Sequence, residues 1–205
     1  MANELNRIEP PALPLAPEGY DRPYQDQSNN ILRLFFNRLI GVIREITSTD
    51  DGGKFLYFPR GLFYSTTDQT AALINTGYPV EFENTYLGNG VSIVDDTEIT
   101  VSADGVYNFQ VTLQTAHTNS ADVQILTWIN KNGTDVSYGG QQQTIKGNAN
   151  QPVFWNFSID LTAGQYIEMY WAVGSTALSL DSTAPTSPHP GIPSTVVAVS
   201  YVSNL

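Results

Sequence analysis

The chain has 205 residues, with no cysteine and a formal net charge of −11 at pH 7. Its length allows one sizeable core plus an extension, and the lack of cysteine excludes disulfides and thiolate metal sites. Seven of the nine Lys and Arg lie in residues 1–60, against eight acids. Residues 61–205 hold only Lys131 and Lys146 against twelve acids, and a surface so acidic is repelled by nucleic acid and anionic membrane.

Residues 1–25 read as an extended arm. Pro10, Pro11, Pro14, Pro17 and Pro23 oppose helix and favour polyproline-like backbone. Ile8, Leu13, Leu15, Tyr20 and Tyr24 are interspersed and suit an arm lying along another surface, a disordered tail being the alternative reading of this composition. The opening "MANELNRIEPP" has no apolar h-region, so no signal peptide is expected and synthesis in the cytoplasm is. No run approaches the roughly 18 apolar residues of a membrane span, so no membrane insertion is expected.

Residues 26–50 hold an amphipathic helix, with Asp26 or Ser28 as cap. Leu32, Phe35, Leu39, Val42 and Ile46 follow spacings of 3, 4, 3 and 4, an a/d heptad seam. Ile31, Phe36, Ile40 and Ile43 widen the stripe beyond the needs of a two-stranded coiled coil. "TSTDDGG" then stops the helix, with Gly52-Gly53 as the break. The pattern admits self-association or docking on a sheet. The Gly-rich break and the Pro-rich arm on either side favour association, and the five seam residues are the expected oligomerisation and anchoring positions.

Residues 55–205 change to a period of two. "GVYNFQVTLQT" sets Tyr107, Phe109, Val111 and Leu113 on one face. "PVFWNFSIDL" does so with Val153, Trp155, Phe157, Ile159 and Leu161, and "YIEMYWAV" with Ile167, Met169, Trp171 and Val173. Further strands are predicted at 78–82, 90–94, 97–101, 122–130, 134–138, 141–146, 176–181 and 194–202, with turns at "GNG", "ADG", "KNG" and "TAG". About ten antiparallel strands in this pattern mean a mainly β sandwich or barrel. A Pro-rich loop, "STAPTSPHPGIPS", precedes the last strand.

Little points to catalysis. There is no Gly-x-Ser-x-Gly elbow and no phosphate loop. His117 lies in polar "TAHTNSAD" and reads as an exposed strand end or loop, and His189 sits in "SPHPG". Asp95, Asp96 and Glu98 could gather oxygen ligands for calcium, but a solvated hairpin tip is the simpler reading. Glu81, Glu83 and Glu168 lack the motif context of a glycosidase pair. No catalytic, cofactor or metal residue is assigned, and no enzyme activity is expected. Trp128, Trp155 and Trp171 fall on apolar faces and read as core or subunit interface. Tyr64, Tyr86 and Tyr138 are better placed for exposed contacts.

"ITVSADGVYNFQVTL" followed by "LTAGQYIEMYW" resembles the jelly rolls of the tumour-necrosis-factor and complement-globular-head family over residues 62–205. Gly105, Tyr107 and Phe109 match its Gly-x-Tyr-x-Phe strand. "TTDQTAALINTGYPVEF", "NGVSIVDDTEITVSADGVYNFQ", "INKNGTDV" and "PGIPSTVVAVSYV" are similar to a jelly-roll domain of tailed-bacteriophage virion proteins, notably marine ones. "GYDRPYQDQSNNILRLFFNRL" looks like the attachment segment that precedes that domain. The resemblance implies a jelly-roll β-sandwich and a homotrimer located in the virion. Residues 1–46 would be anchored to other virion proteins, for capsid decoration, cement or a short fibre. The alternative it leaves open is a trimeric fibre tip recognising a host-surface glycan or receptor.

Overall fold

The computed structural model describes residues 18–19, 21–47 and 58–205, without the side chains of residues 45–47. Most of the Pro-rich arm and the Gly52-Gly53 break lie outside the described residues. The chain divides into two compact units, Met1–Phe58 and Pro59–Leu205.

In the first unit one helix, α1, spans Arg22–Thr47. It begins earlier than a cap at Asp26 or Ser28 predicts and stops before residue 50. Pro23 is compatible with this start because it occupies the first turn, where a missing N–H costs no helical bond. The Gln25 N–H donates to the Asp21 carbonyl at 3.1 Å, closing that turn.

The second unit is a sandwich of two antiparallel sheets. The elements are β1 (Arg60–Ser65), β2 (Gln69–Thr70), β3 (Tyr78–Pro79), β4 (Asn84–Asn89), β5 (Val91–Val94), β6 (Glu98–Val101) and β7 (Gly105–His117). They continue with β8 (Val123–Lys131), β9 (Thr134–Ile145), β10 (Asn150–Leu161), β11 (Tyr166–Val173), β12 (Leu178–Leu180) and β13 (Thr195–Ser203). The first sheet runs β4-β1-β13-β7-β10, with the short β12 and β2 continuing beyond β13 on the same edge of β7. The second runs β5-β6-β11-β8-β9, with β3 beside the far end of β11. From β6 onward the chain crosses between sheets at almost every connection, and only β8 and β9 form a hairpin within one sheet. This is the winding of a jelly roll.

Alternation explains the core. Tyr107, Phe109, Val111 and Leu113 of β7 face Ile167, Met169, Trp171 and Val173 of β11, and all are buried, as their spacing predicts. Ile99, Ile125, Ile129, Ile145, Val197 and Val199 complete the layer. Trp155, Phe157 and Ile159 point the same way but are half-buried, because β10 is the outermost strand of its sheet. The β8–β9 turn uses Asn132 and Gly133 at φ of 50° and 78°, the left-handed pair that a two-residue hairpin requires.

Three readings change. The strands predicted at 134–138 and 141–146 are one strand, β9, whose register slips opposite Trp128 and Asn130. Tyr138 stands in that irregular stretch at a φ of 60°. Strands β1 and β4 were not predicted. Trp128 is not in the core, one of the two places expected for it: Ile125, Thr127 and Ile129 take the inward phase of β8, which sends Leu126 and Trp128 outward.

Candidate functional site

The residues with catalytic potential do not converge. His117 is 3% exposed at the end of β7, so it is a buried imidazole and not an exposed loop histidine. Its Nδ1 lies 3.3 Å from the Lys146 carbonyl. Its Nε2 meets no partner among the described residues. His189 is exposed and its Nδ1 donates to the Pro190 carbonyl at 2.8 Å.

The Glu83 carboxylate accepts from the Thr66 N–H at 2.6 Å, the Thr66 and Thr67 hydroxyls at 3.3 Å, and the Asn84 amide at 3.1 Å. Burial pushes its pKa up, but hydrogen bonding with the Ser65 side chain, the Thr66 and Glu83 backbone and the Thr66 hydroxyl pulls it below the ordinary value. It ties down the loop after β1. Glu168 stands on β11 and accepts from Thr97 Oγ1 at 3.2 Å. Among the described residues, Asp95, Asp96 and Glu98 form no metal-holding group, nor do any other three acidic or imidazole side chains.

Helix α1 presents its apolar surface openly. Leu32, Phe35, Leu39 and Val42 are each half-exposed, while Leu34, Phe36 and Ile40 are 52%, 53% and 47% exposed. Ile46 is helical, but its side chain is outside the described set. No described side chain of the helix is buried. Among the described residues no helix is long and apolar enough to cross a membrane.

The outward face of the first sheet carries an apolar groove of about 470 Å³. Leu62 and Tyr64 of β1, Tyr86 before the end of β4, and Val196 of β13 line it, and Pro185 and Ile192 of the Pro-rich loop wall it. Tyr86 is 77% exposed and Ile192 40%. At the other edge of the same sheet Phe154 projects outward from β10, 67% exposed. Groove and Phe154 thus sit at opposite margins of one face.

The outward face of the second sheet carries aromatic rings. Trp128 and Tyr170 pair across β8 and β11 and stack, with centroids 5.6 Å apart and planes 22° from parallel. Burial raises the Tyr170 pKa, and Glu168 and Asp135 add to the effect. Tyr138 is fully exposed. The exposed positions expected for Tyr86 and Tyr138 are therefore found, whereas Tyr64 is half-buried in the groove wall.

Both lysines of the sandwich are engaged. Lys131 Nζ lies 3.1 Å from Asp160 Oδ2, and Lys146 Nζ 2.6 Å from Asp122 Oδ2. Both aspartates are held below the usual carboxylate range, chiefly by the lysine hydrogen bond.

No family model matches the chain, and no curated protein sequence does. Among solved structures, the crystal structure of murine APRIL at pH 5.0 is similar in fold. It covers 71% of this chain and 99% of its own, at 13% identity and a TM-score of 0.47. By its strand order the sandwich is a jelly roll.

Proposed function

We propose that the protein is a non-enzymatic structural component of a tailed-phage virion. In this reading it is a homotrimer anchored through residues 1–46, displaying its jelly roll as decoration, cement or short fibre. The observation that carries this reading is the open apolar surface of α1. An isolated helix of 26 residues gains little from propensity alone and relies on packing its apolar face. Its stripe is wide enough to meet two further copies.

The sandwich supports the same reading. A groove at one margin of a face and an exposed Phe154 at the other are suited to a head-to-tail contact, the kind that forms a three-membered ring when each copy is turned by one third of a revolution. The acidic exterior suits exposure to water. The link to phage virions comes from the sequence resemblance.

Light scattering on the full chain at micromolar concentration tests the assembly, with a mass near three times 22.5 kDa expected. A monomer overturns it. A second reading, recognition of host-surface glycan by the displayed sandwich, is favoured by one observation, the aromatic surface on β8 and β9.

A further inference from the structure

That surface has the form of a binding slot. Trp128 stacks on Tyr170 with one face, and its strand partner on the other side is Gly140 of β9. A Cβ placed on Gly140 would lie 3.2 Å from the Trp128 Cβ and 3.1 Å from the Thr127 carbonyl. With no side chain there, the indole opens toward β9 onto a shallow groove of about 540 Å³. Leu126, Trp128, Asp135, Tyr138, Gly140 and Gln142 line it.

The indole is held in place. Trp128 Nε1 donates to Asp135 Oδ1 at 3.0 Å, and Asn130 Nδ2 lies 3.4 Å from the same oxygen. This leaves Asp135 Oδ2 pointing its lone pairs elsewhere, with no bond among the described residues. The Gln142 side chain is exposed and likewise makes no bond among them. Tyr138 stands at the rim, fully exposed on a backbone of φ 60°. An exposed ring in a left-handed conformation gains nothing for the fold, since it contacts no core and costs backbone strain.

We propose that this groove binds a neutral pyranose, with the C–H face of the sugar laid against the Trp128 indole and its hydroxyls bonded to Asp135 and Gln142. Three features select that ligand class. A flat aromatic wall beside a glycine floor accepts a saturated ring with one apolar face. A carboxylate and a primary amide together accept from and donate to hydroxyls. Asp135 and Glu168, on a domain with two lysines and twelve acids, repel carboxylated or sulfated sugars. The site deepens the glycan-recognition reading and does not depend on trimer formation.

The test is titration of the full chain with methyl β-D-glucopyranoside, methyl β-D-galactopyranoside and N-acetylglucosamine, with sialic acid as the anionic control. Ligand-observed NMR and tryptophan fluorescence are the readouts, followed by a glycan array. Binding of at least one neutral sugar and none of sialic acid is expected. Trp128→Ala is expected to weaken binding by about tenfold or more, equivalent to about 1.4 kcal/mol. Tyr138→Ala and Gln142→Ala change exposed side chains and preserve the fold, so they decide the matter if Trp128→Ala does not fold. Each is expected to weaken binding severalfold.

Silence toward every neutral glycan overturns the site, as does binding unaffected by Tyr138→Ala and Gln142→Ala. Dissociation of an oligomer by Trp128→Ala, without sugar binding in the wild type, also overturns it and assigns the face to a second copy. The mass of the same sample separates the two proposals. A monomer that binds sugar loses the trimer and keeps the site, and a trimer silent on the array does the reverse.

Discussion

Phe109 of β7 and Phe157 of β10 stack face to face, with centroids 5.0 Å apart and planes within 5° of parallel. They are direct partners in the β7–β10 register. Trp155 leans on Phe157 at 4.8 Å, so an aromatic cluster closes the open side of the sandwich where β10 ends the sheet. Phe157→Ala removes the centre of the cluster. A loss of about 3 kcal/mol is expected, the low end for an aromatic deletion because the ring is only half-buried. Urea unfolding with an unchanged m-value checks it.

Gly105 opens β7 beneath the Tyr201 ring, where an added Cβ would lie 2.2 Å from Tyr201 Cε2 and 2.8 Å from the Ser203 carbonyl. The ring could swing, but the backbone oxygen cannot do so cheaply. Gly105→Ala is therefore expected to destabilise by about 1–3 kcal/mol, although alanine normally favours order over glycine. An unchanged or raised melting temperature would show that the C-terminal strand yields.

Replacing Leu39 with Asp places three carboxylates at one layer of the proposed helical assembly. The expected cost is at least ~3 kcal/mol per trimer. The mass in light scattering should fall toward 22.5 kDa. If mass and thermal midpoint both match the wild type, α1 does not associate through this stripe.

Glu83 provides a pH-dependent contribution. Its folded pKa lies below its ordinary value of 4.5. The stabilisation it supplies is complete above that value and is lost as pH falls through the folded pKa. Glu83→Gln should cost about 1 kcal/mol at pH 7, a modest figure because the group is largely solvated. Melting curves of the two proteins should draw together as pH falls from 5 to 3. A gap that stays constant across that window would refute the ionised-acceptor role.

How much of this was legible depends on whether one phase of a strand was clearly apolar. In β7, β10 and β11 it was, and their inward residues follow from spacing. In β1 it was not: "RGLFYS" turns Gly61, Phe63 and Ser65 inward and Leu62 and Tyr64 outward, so both faces look half apolar. In β4, "NTYLGN" buries nothing. Strand β8 posed the same ambiguity, since Ile125 and Ile129 compete with Leu126 and Trp128 in the opposite phase. Placement on an apolar face assigned the tryptophan to core or subunit interface, and the groove beside it could not be seen until Gly140 was known to be its partner. His117 misled in the other direction, because its polar neighbours lie in the loop beyond the strand while the ring itself turns inward.

The pairing of Lys131 and Lys146 with aspartates has a practical consequence. Trypsin does not cut the Arg22-Pro23 bond, so six of the eight possible trypsin sites precede Gly61. The two beyond it sit at a hairpin turn and just after β9, each lysine tethered to a neighbouring strand or loop. Brief digestion should strip the leading segment and leave the jelly roll whole, yielding a fragment suited to crystallisation without recloning.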